Sequence, residues 1–322
     1  MIGVGVGGTA EKAMLMAKES LMEPINIQAL IESGPVTEAE KLRIELYDKI
    51  NQMGIGAQGL GGLTTVLDVK VKDYPTHAAS LPVAIIPNCA ATRHSHFVLD
   101  GSGPAEFKPP SLSDWPEVTR HITSNTLHIN LDTITITDIQ TWRPGDTLLL
   151  SGHLLTGRDT AHKKIAELIN NKHPLPDGLC FKGRFIYYVG PVEPVKDEIV
   201  GPAGPTTATR MDKFTDMMLG QTGLLGMIGK AERGPSAIAA IKKYRSVSLI
   251  AVGGSAYLVS KAIKSSRIVA FEELGMEAIR EFYVENMPVT VAVDSLGQSV
   301  HESGPKKWRH NISRLSIKPR PL

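Results

Sequence analysis

Between two patterned stretches, this chain carries a segment from Gly101 to Val118 with prolines at Pro104, Pro109, Pro110 and Pro116 and no hydrophobic period. Proline has no backbone donor and fixes its own φ, so neither a helix interior nor a central strand can run through such a segment. The chain must therefore fold as two separately patterned regions joined there by an interdomain linker. Its 322 residues are enough for one large domain or two ordinary ones, and the proline segment favours two, 1–118 and 119–322.

In the first region, Ile2-Gly3-Val4-Gly5-Val6 reads as a strand with no earlier strand to pair with. Gly7-Gly8-Thr9 then opens a helix to about Leu21, capped by Thr9. A second helix is predicted from Thr37 to Met53, a glycine-rich loop from Gly54 to Gly62, and an alternating strand from Thr64 to Val71. The second region starts with alternating strands at Thr126–Leu131 and Thr133–Ile136. A turn at Arg143-Pro144-Gly145-Asp146 leads into a strand at Thr147–Leu150. Next come a helix over Thr160–Asn170 and a strand over Phe185–Val189. Helices and strands then alternate past Val247–Val252, Ile268–Phe271 and Val289–Val293. The predicted class is α/β: a mixed α/β first part followed by a separate, β-rich layered domain.

The composition is 42% hydrophobic and 21% charged, which excludes a disordered chain. A net charge of +2 advertises neither nucleic acid nor a membrane surface as partner. No apolar run approaches the length of a membrane span. Two cysteines rule out a disulfide framework and make a reducing cytoplasm the expectation.

Several segments carry polar groups where chemistry is possible, and each has a plain structural reading beside it. Gly3-x-Gly5-x-Gly7-Gly8 departs from the dinucleotide fingerprint in spacing, and a tight strand-to-helix turn is the better reading. Gly253-Gly254-Ser255 has the same strand-to-helix form, with close packing as its alternative. Arg158, in Thr156-Gly157-Arg158-Asp159 at a strand-to-helix junction, is placed to meet an anion through a two-point grip or to pair with a nearby acid. In Gly204-Pro205-Thr206-Thr207-Ala208-Thr209-Arg210, Thr206 and Arg210 share a face if the segment is helical, and an ordinary threonine cap is the alternative. Lys230 stands in an otherwise small and apolar run. His77 has a side chain suited to proton transfer, although a structural role is the better reading of a lone histidine. His94 and His96 flank Ser95 without further ligand spacing, so a metal there is discounted. Cys89, in Pro87-Asn88-Cys89-Ala90-Ala91-Thr92-Arg93, has no ligand-like spacing to Cys180.

Together these segments resemble the iron-sulfur hydro-lyases, the class I fumarate hydratases and L(+)-tartrate dehydratases. Residues 1 to about 118 look like the carboxyl-terminal part of the larger, cluster-binding unit. The matching segments are Ile2-Gly3-Val4-Gly5-Val6-Gly7-Gly8-Thr9, Ile55-Gly56-Ala57-Gln58-Gly59 and Asn88-Cys89-Ala90-Ala91-Thr92-Arg93. Residues from about 121 onward look like the smaller β unit, a swivelling-type domain, through Thr156–Asp159, Ile186-Tyr187-Tyr188-Val189-Gly190-Pro191 and Gly204–Asp212.

The resemblance implies roles. Cys89 matches a ligand of a [4Fe-4S] cluster whose open iron acts as a Lewis acid on the substrate hydroxyl. Arg158, Arg210 and Lys230 match residues that hold the carboxylates of a C4 dicarboxylate, Thr206 a threonine of proton transfer, and His77 a histidine near the active site. The reaction implied is reversible hydration of fumarate to (S)-malate, with dehydration of L(+)-tartrate as the alternative and a non-catalytic, dicarboxylate-binding remnant as the third reading. A cluster needs at least three thiolates. The family's other two cysteines and its catalytic aspartate lie upstream of the matching segments, so a complementing amino-terminal subunit is expected, and a homodimer is the family assembly.

Overall fold

The computed structural model describes residues 1–89, 92, 97–104, 126–253 and 256–315. The proposed junction at 118/119, the prolines from Pro109 to Pro116, His94, His96, Gly254 and Ser255 lie outside the described residues.

The first region is built on a three-stranded sheet. Its centre strand β1 (Ile2–Gly7) runs parallel to β2 (Val69–Tyr74) and antiparallel to β3 (Val83–Pro87), so both of its partners come from downstream. Helix α1 (Ala10–Ser20) starts at Thr9, whose side chain accepts from Lys12 N–H. The glycines of β1 let this helix lie directly on the strand. A methyl carbon on Gly3 or Gly5 would lie 2.1 Å from Ala17 O or 2.0 Å from Ala13 O, distances that no carbon tolerates against rigid backbone.

On the other face lie α2 (Ile27–Ser33) and α3 (Glu38–Gln52), the latter opened by a capping box between Thr37 and Glu40. The strand expected from Thr64 begins only at Val69, and Asn51 gives the reason. Its Oδ1 accepts from Thr65 N–H at 2.7 Å and Val66 N–H at 3.0 Å, and its Nδ2 donates to Val66 O at 3.3 Å. One buried amide thus takes the backbone bonds a sheet would have used.

The second region holds seven strands: β4 (Leu127–Asn130), β5 (Thr147–Thr156), β6 (Phe185–Tyr187), β7 (Gly226–Gly229), β8 (Val247–Ala251), β9 (Ile263–Ala270) and β10 (Ile279–Val293). β4 to β8 are parallel neighbours, and β10 pairs antiparallel with both β8 and β5. The strands β5-β6-β7-β8-β10 therefore close into a ring, with β4 and β9 attached at its rim. Leu150, Leu154, Phe185, Tyr187, Leu249, Phe282 and Val289 belong to one buried cluster of this region. The alternate residues Leu155, Ile186, Tyr188 and Met227 belong to a second, which includes residues of α5 (Asp159–Asn170), α6 (Asp212–Thr222) and α7 (Pro235–Tyr244). With both faces covered, these strands read as unbroken hydrophobic runs.

The strand expected at Thr133–Ile136 is a turn and a short helix, α4 (Ile136–Ile139), because Thr135 and Asp138 cap each other. After β8 come α8 (Ala256–Ala262) and, beyond β10, the helix α9 (Val300–Leu315), which lies against the glycine-rich loop of the first region. His301 Nε2 is 3.2 Å from Gln58 O, and a methyl on Gly304 would fall 2.2 Å from Leu60 O. Among the described residues, no helix is long and apolar enough to cross a membrane.

Candidate functional site

Parallel strands that end side by side leave their following loops together at one rim, and ligands of α/β sheets bind outside such carboxyl ends. Here β5 runs into Arg158, β6 into Tyr188 and Gly190, β7 into Lys230, and β8 into Gly253. Arg158, Thr206, Arg210 and Lys230, scattered over 73 positions of sequence, all reach this one rim.

Arg158 precedes the first residue of α5, at the junction the sequence indicated. Its Nη2 lies 3.8 Å from Glu277 Oε1, and its Nε is buried without a hydrogen-bond partner. Gly190 leaves room for the guanidinium: a methyl there would lie 2.6 Å from Arg158 Nη1. Arg210 sits in a 3-10 turn (Ala208–Met211), half exposed, with Nη1 3.5 Å from Asp159 Oδ2. Both ion pairs are looser than a hydrogen bond, so each guanidinium keeps donors for another anion.

Thr206 does not share a helix face with Arg210, because the helical turn starts only at Ala208. It lies instead in an extended stretch held by Tyr188 O, which accepts from both Thr206 N and Thr206 Oγ1 at 2.8 Å. Thr206 O in turn accepts from Lys230 N at 3.0 Å, which fixes the threonine to the end of β7. With its proton given to Tyr188, Thr206 Oγ1 keeps its lone pairs for a second partner. Gly253 N donates to Gln58 Oε1 at 3.1 Å, and Lys230 Cδ would lie 3.6 Å from a methyl on Gly253. The glycine-rich loop of the first region thus ends beside Lys230. Gln58 reaches this place with a left-handed backbone, φ 56°.

Three further residues support the site without having been singled out in the sequence. His162 is fully buried, and burial pushes its pKa down to about 4 despite the hydrogen bond to Arg158 O. That carbonyl can only accept, so Nδ1, 2.8 Å away, carries the hydrogen and the ring is neutral. The ring packs edge-on against Tyr188 at 5.6 Å. Beneath Tyr188 lies the guanidinium of Arg233, bound to Asp212 Oδ1 at 2.7 Å and Thr215 Oγ1 at 2.6 Å. Glu277, from the turn before β10, accepts from Thr160 N at 2.8 Å. Burial works to raise its carboxyl, but the bonds from Thr160 and the charges of Arg158 and Arg210 outweigh it and hold it below the ordinary glutamate value. His162 was within reach of sequence reasoning, being four positions after Arg158 on a helix. Glu277 was not, being 117 positions from Thr160.

The two candidates of the first region stand apart from one another. His77 follows β2, at the end of the sheet where β1 finishes in Gly7, and lines an open groove of 790 Å³ with Gly8, Lys12 and Tyr74. Cys89 is exposed and follows β3, which ends beside Ile2 at the start of β1. Five strand steps separate those ends, about 16 Å. The residues present do not complete a cluster site: Cys180 belongs to the other region, and among the described residues no group of three His, Cys, Asp or Glu side chains could hold a metal ion. A separate cavity of 400 Å³ beside Tyr47 is lined by Ile25, Ile27 and Leu67 and carries no cation to hold an acid.

Comparison with known proteins gives two family matches: residues 1–98 to the model described as fumarate hydratase (fumerase), and residues 101–304 to that described as fumarase C-terminus. The fumarate hydratase 2 of Leishmania major is 33% identical over 278 residues, 82% of this chain and 47% of that protein. The aerobic class I fumarate hydratase of Escherichia coli strain K12 is 31% identical over 279 residues, 83% of this chain and 49% of that protein. A putative L(+)-tartrate dehydratase subunit beta from Methanocaldococcus jannaschii is 34% identical over 187 residues, 56% of this chain and 95% of that protein. The chain spans about half the length of the fumarate hydratases it matches.

Proposed function

Because this chain belongs to the fumarate hydratase family, matched in both of its regions, we propose that it carries the dicarboxylate-binding part of a hydro-lyase that interconverts fumarate and (S)-malate. The observation that carries this reading is the convergence of Arg158, Arg210, Lys230 and Thr206 at the carboxyl ends of neighbouring parallel strands. A C4 dicarboxylate has an anionic group at each end and its reacting carbons between them. Two guanidinium forks with unused donors can each take one end, while Lys230 adds charge from β7. Fixing both ends fixes the carbons between them, which is where positioning contributes to rate.

Hydration adds a proton to one of those carbons and hydroxide to the other. Thr206 is read as the group that passes the proton, and to do so it must turn its O–H from Tyr188 O toward the substrate. Cys89 is read as one thiolate of a [4Fe-4S] cluster whose other ligands come from outside this sequence. His77 is assigned a supporting role near that unit. A homodimer or a complementing amino-terminal subunit is read as completing the assembly, in the cytoplasm. L(+)-tartrate is the second substrate reading, favoured by the tartrate dehydratase relative, whose match covers 95% of its length.

Supplying the part of the relatives that lies outside the match, on a second polypeptide, tests this. The pair is expected to bind iron and hydrate fumarate, and the chain alone to do neither. Within the active pair, Arg158→Lys and Arg210→Lys should raise KM, because lysine keeps the charge but loses the planar grip. Thr206→Val should lower kcat more than it raises KM. Normal turnover of Thr206→Val would return that residue to a purely structural role, and turnover by the chain alone would overturn the need for a partner.

A further inference from the structure

Glu277 reaches the strand-end rim from the turn between β9 and β10, and its two oxygens have different partners. Oε2 accepts from Thr160 N–H at 2.8 Å, in the first turn of α5. Arg158, the residue that should cap that helix, makes no side-chain capping bond, so Glu277 supplies the cap from 117 positions away in the chain. Oε1 faces Arg158 Nη2 at 3.8 Å. That separation is too long for a hydrogen bond but short enough for charge to act.

The anchoring to Thr160 matters. A glutamate free to swing would close on Arg158 and use up its donors. Held by the helix, Glu277 attracts the guanidinium without occupying it, and Arg158 Nε remains buried and unpartnered. Gly190 lies against the same guanidinium. Arg210 stands within the field of the same carboxylate and is itself faced by Asp159. The rim thus sets three cations, Arg158, Arg210 and Lys230, against two carboxylates, Asp159 and the anchored Glu277. An incoming anion meets both the attraction and the repulsion, and each added negative charge on it increases the repulsion from Glu277.

We infer that Glu277 is a positioning and charge-selecting residue: it aims Arg158 at one end of a dicarboxylate and discriminates against tricarboxylates. This rests on the reading that Arg158 and Arg210 hold a dicarboxylate.

The test is an NMR-detected titration of the full chain with succinate and with citrate, on the wild type, Glu277→Gln and Glu277→Ala. Glutamine keeps an oxygen for Thr160 and nearly the same volume but removes the charge. Glu277→Gln is expected to tighten citrate binding more than succinate binding, moving the ratio of the two affinities roughly fivefold toward citrate. Glu277→Ala, which also loses the cap, should bind succinate more weakly than Glu277→Gln. A purely structural role would lower the melting temperature of both variants and leave the ratio where it was, and that result overturns the inference. If the wild type binds succinate and the ratio does not move, the inference fails while the dicarboxylate reading stands. If the wild type binds neither anion but Glu277→Gln takes up citrate, the dicarboxylate reading fails and takes the inference with it. Binding of neither anion by any of the three proteins removes both.

Discussion

Gly190 fixes where Arg158 can go. A methyl on it would lie 2.6 Å from Arg158 Nη1 and 3.1 Å from Arg158 Cδ, atoms of a flexible side chain that can give way, and 3.3 Å from Met276 O, a small backbone adjustment. Gly190→Ala should therefore fold with a loss of less than about 1 kcal/mol, yet displace the guanidinium and weaken succinate binding. Unchanged binding in a titration of this variant would mean that Arg158 is not held as described. His162 makes a prediction about pH. Its pKa is about 4 in the folded chain, below the ordinary value of 6.5 it regains on unfolding. Above pH 6.5 the ring is neutral in both states and contributes nothing to the pH dependence. As pH falls toward 4, the unfolded chain takes up a proton that the folded one refuses, so stability falls by roughly 3 kcal/mol across that window. Urea unfolding of the wild type and His162→Gln from pH 7.5 to about 4 checks this. The difference between the two proteins should shrink or reverse as the pH drops, and a constant difference would show that the ring is not neutral in the fold. Lys230 stood out in the sequence because a cation in a small and apolar run is conspicuous, whereas Arg158 and Arg210 each kept an ordinary structural reading beside the functional one. Glu277 was not, because its role depends on a strand pairing that no local pattern announces.

At the scale of elements, the contact between α9 and the glycine-rich loop does most to place the first region against the site. Gly304 sits where a methyl would lie 2.2 Å from Leu60 O and 2.7 Å from Leu60 C, both rigid backbone. Gly304→Ala has no flexible neighbour to displace, so α9 must lift from the loop, at a cost of about 1–3 kcal/mol. The same shift would loosen His301 from Gln58 and Gln58 from Gly253. Hydrogen exchange at Gly253 N–H should accelerate in this variant, and protection equal to the wild type would mean that the loop does not depend on α9. Several elements were legible from their caps: Thr9 and Thr37 opened the helices expected of them. The failures came where a side chain competes with backbone pairing, at Asn51 and at the Thr135–Asp138 box. α9 was missed because Gly304 and Pro305 break its pattern, and the glycine is there for close packing.

At the scale of the molecule, we place the division into 1–118 and 119–322 on composition, and its prediction follows from the two separate sheets. Limited proteolysis should cut first between Gly101 and Val118. The two pieces should then co-elute, because α9 still holds the glycine-rich loop. First cuts within β8 to β10, with the proline segment intact, would overturn the division, and separation of the pieces would show that the contact between regions is weak. By itself, the sequence determined the α/β class and set out two patterned regions and the side chains we propose to face an anion. These follow from periodicity, proline and charge, which act over a few residues. It also determined that the chain holds too few cysteines for a cluster of its own. Only the tertiary structure decided that Arg158, Arg210, Thr206 and Lys230 share a rim, that Glu277 lies beside it, and that His77 and Cys89 stand at opposite ends of one sheet. Those placements come from strand order and ring closure, pairings between residues up to 143 positions apart (Thr147 with Thr290). Such pairings are selected by burial of the whole core and leave no local signal in the chain.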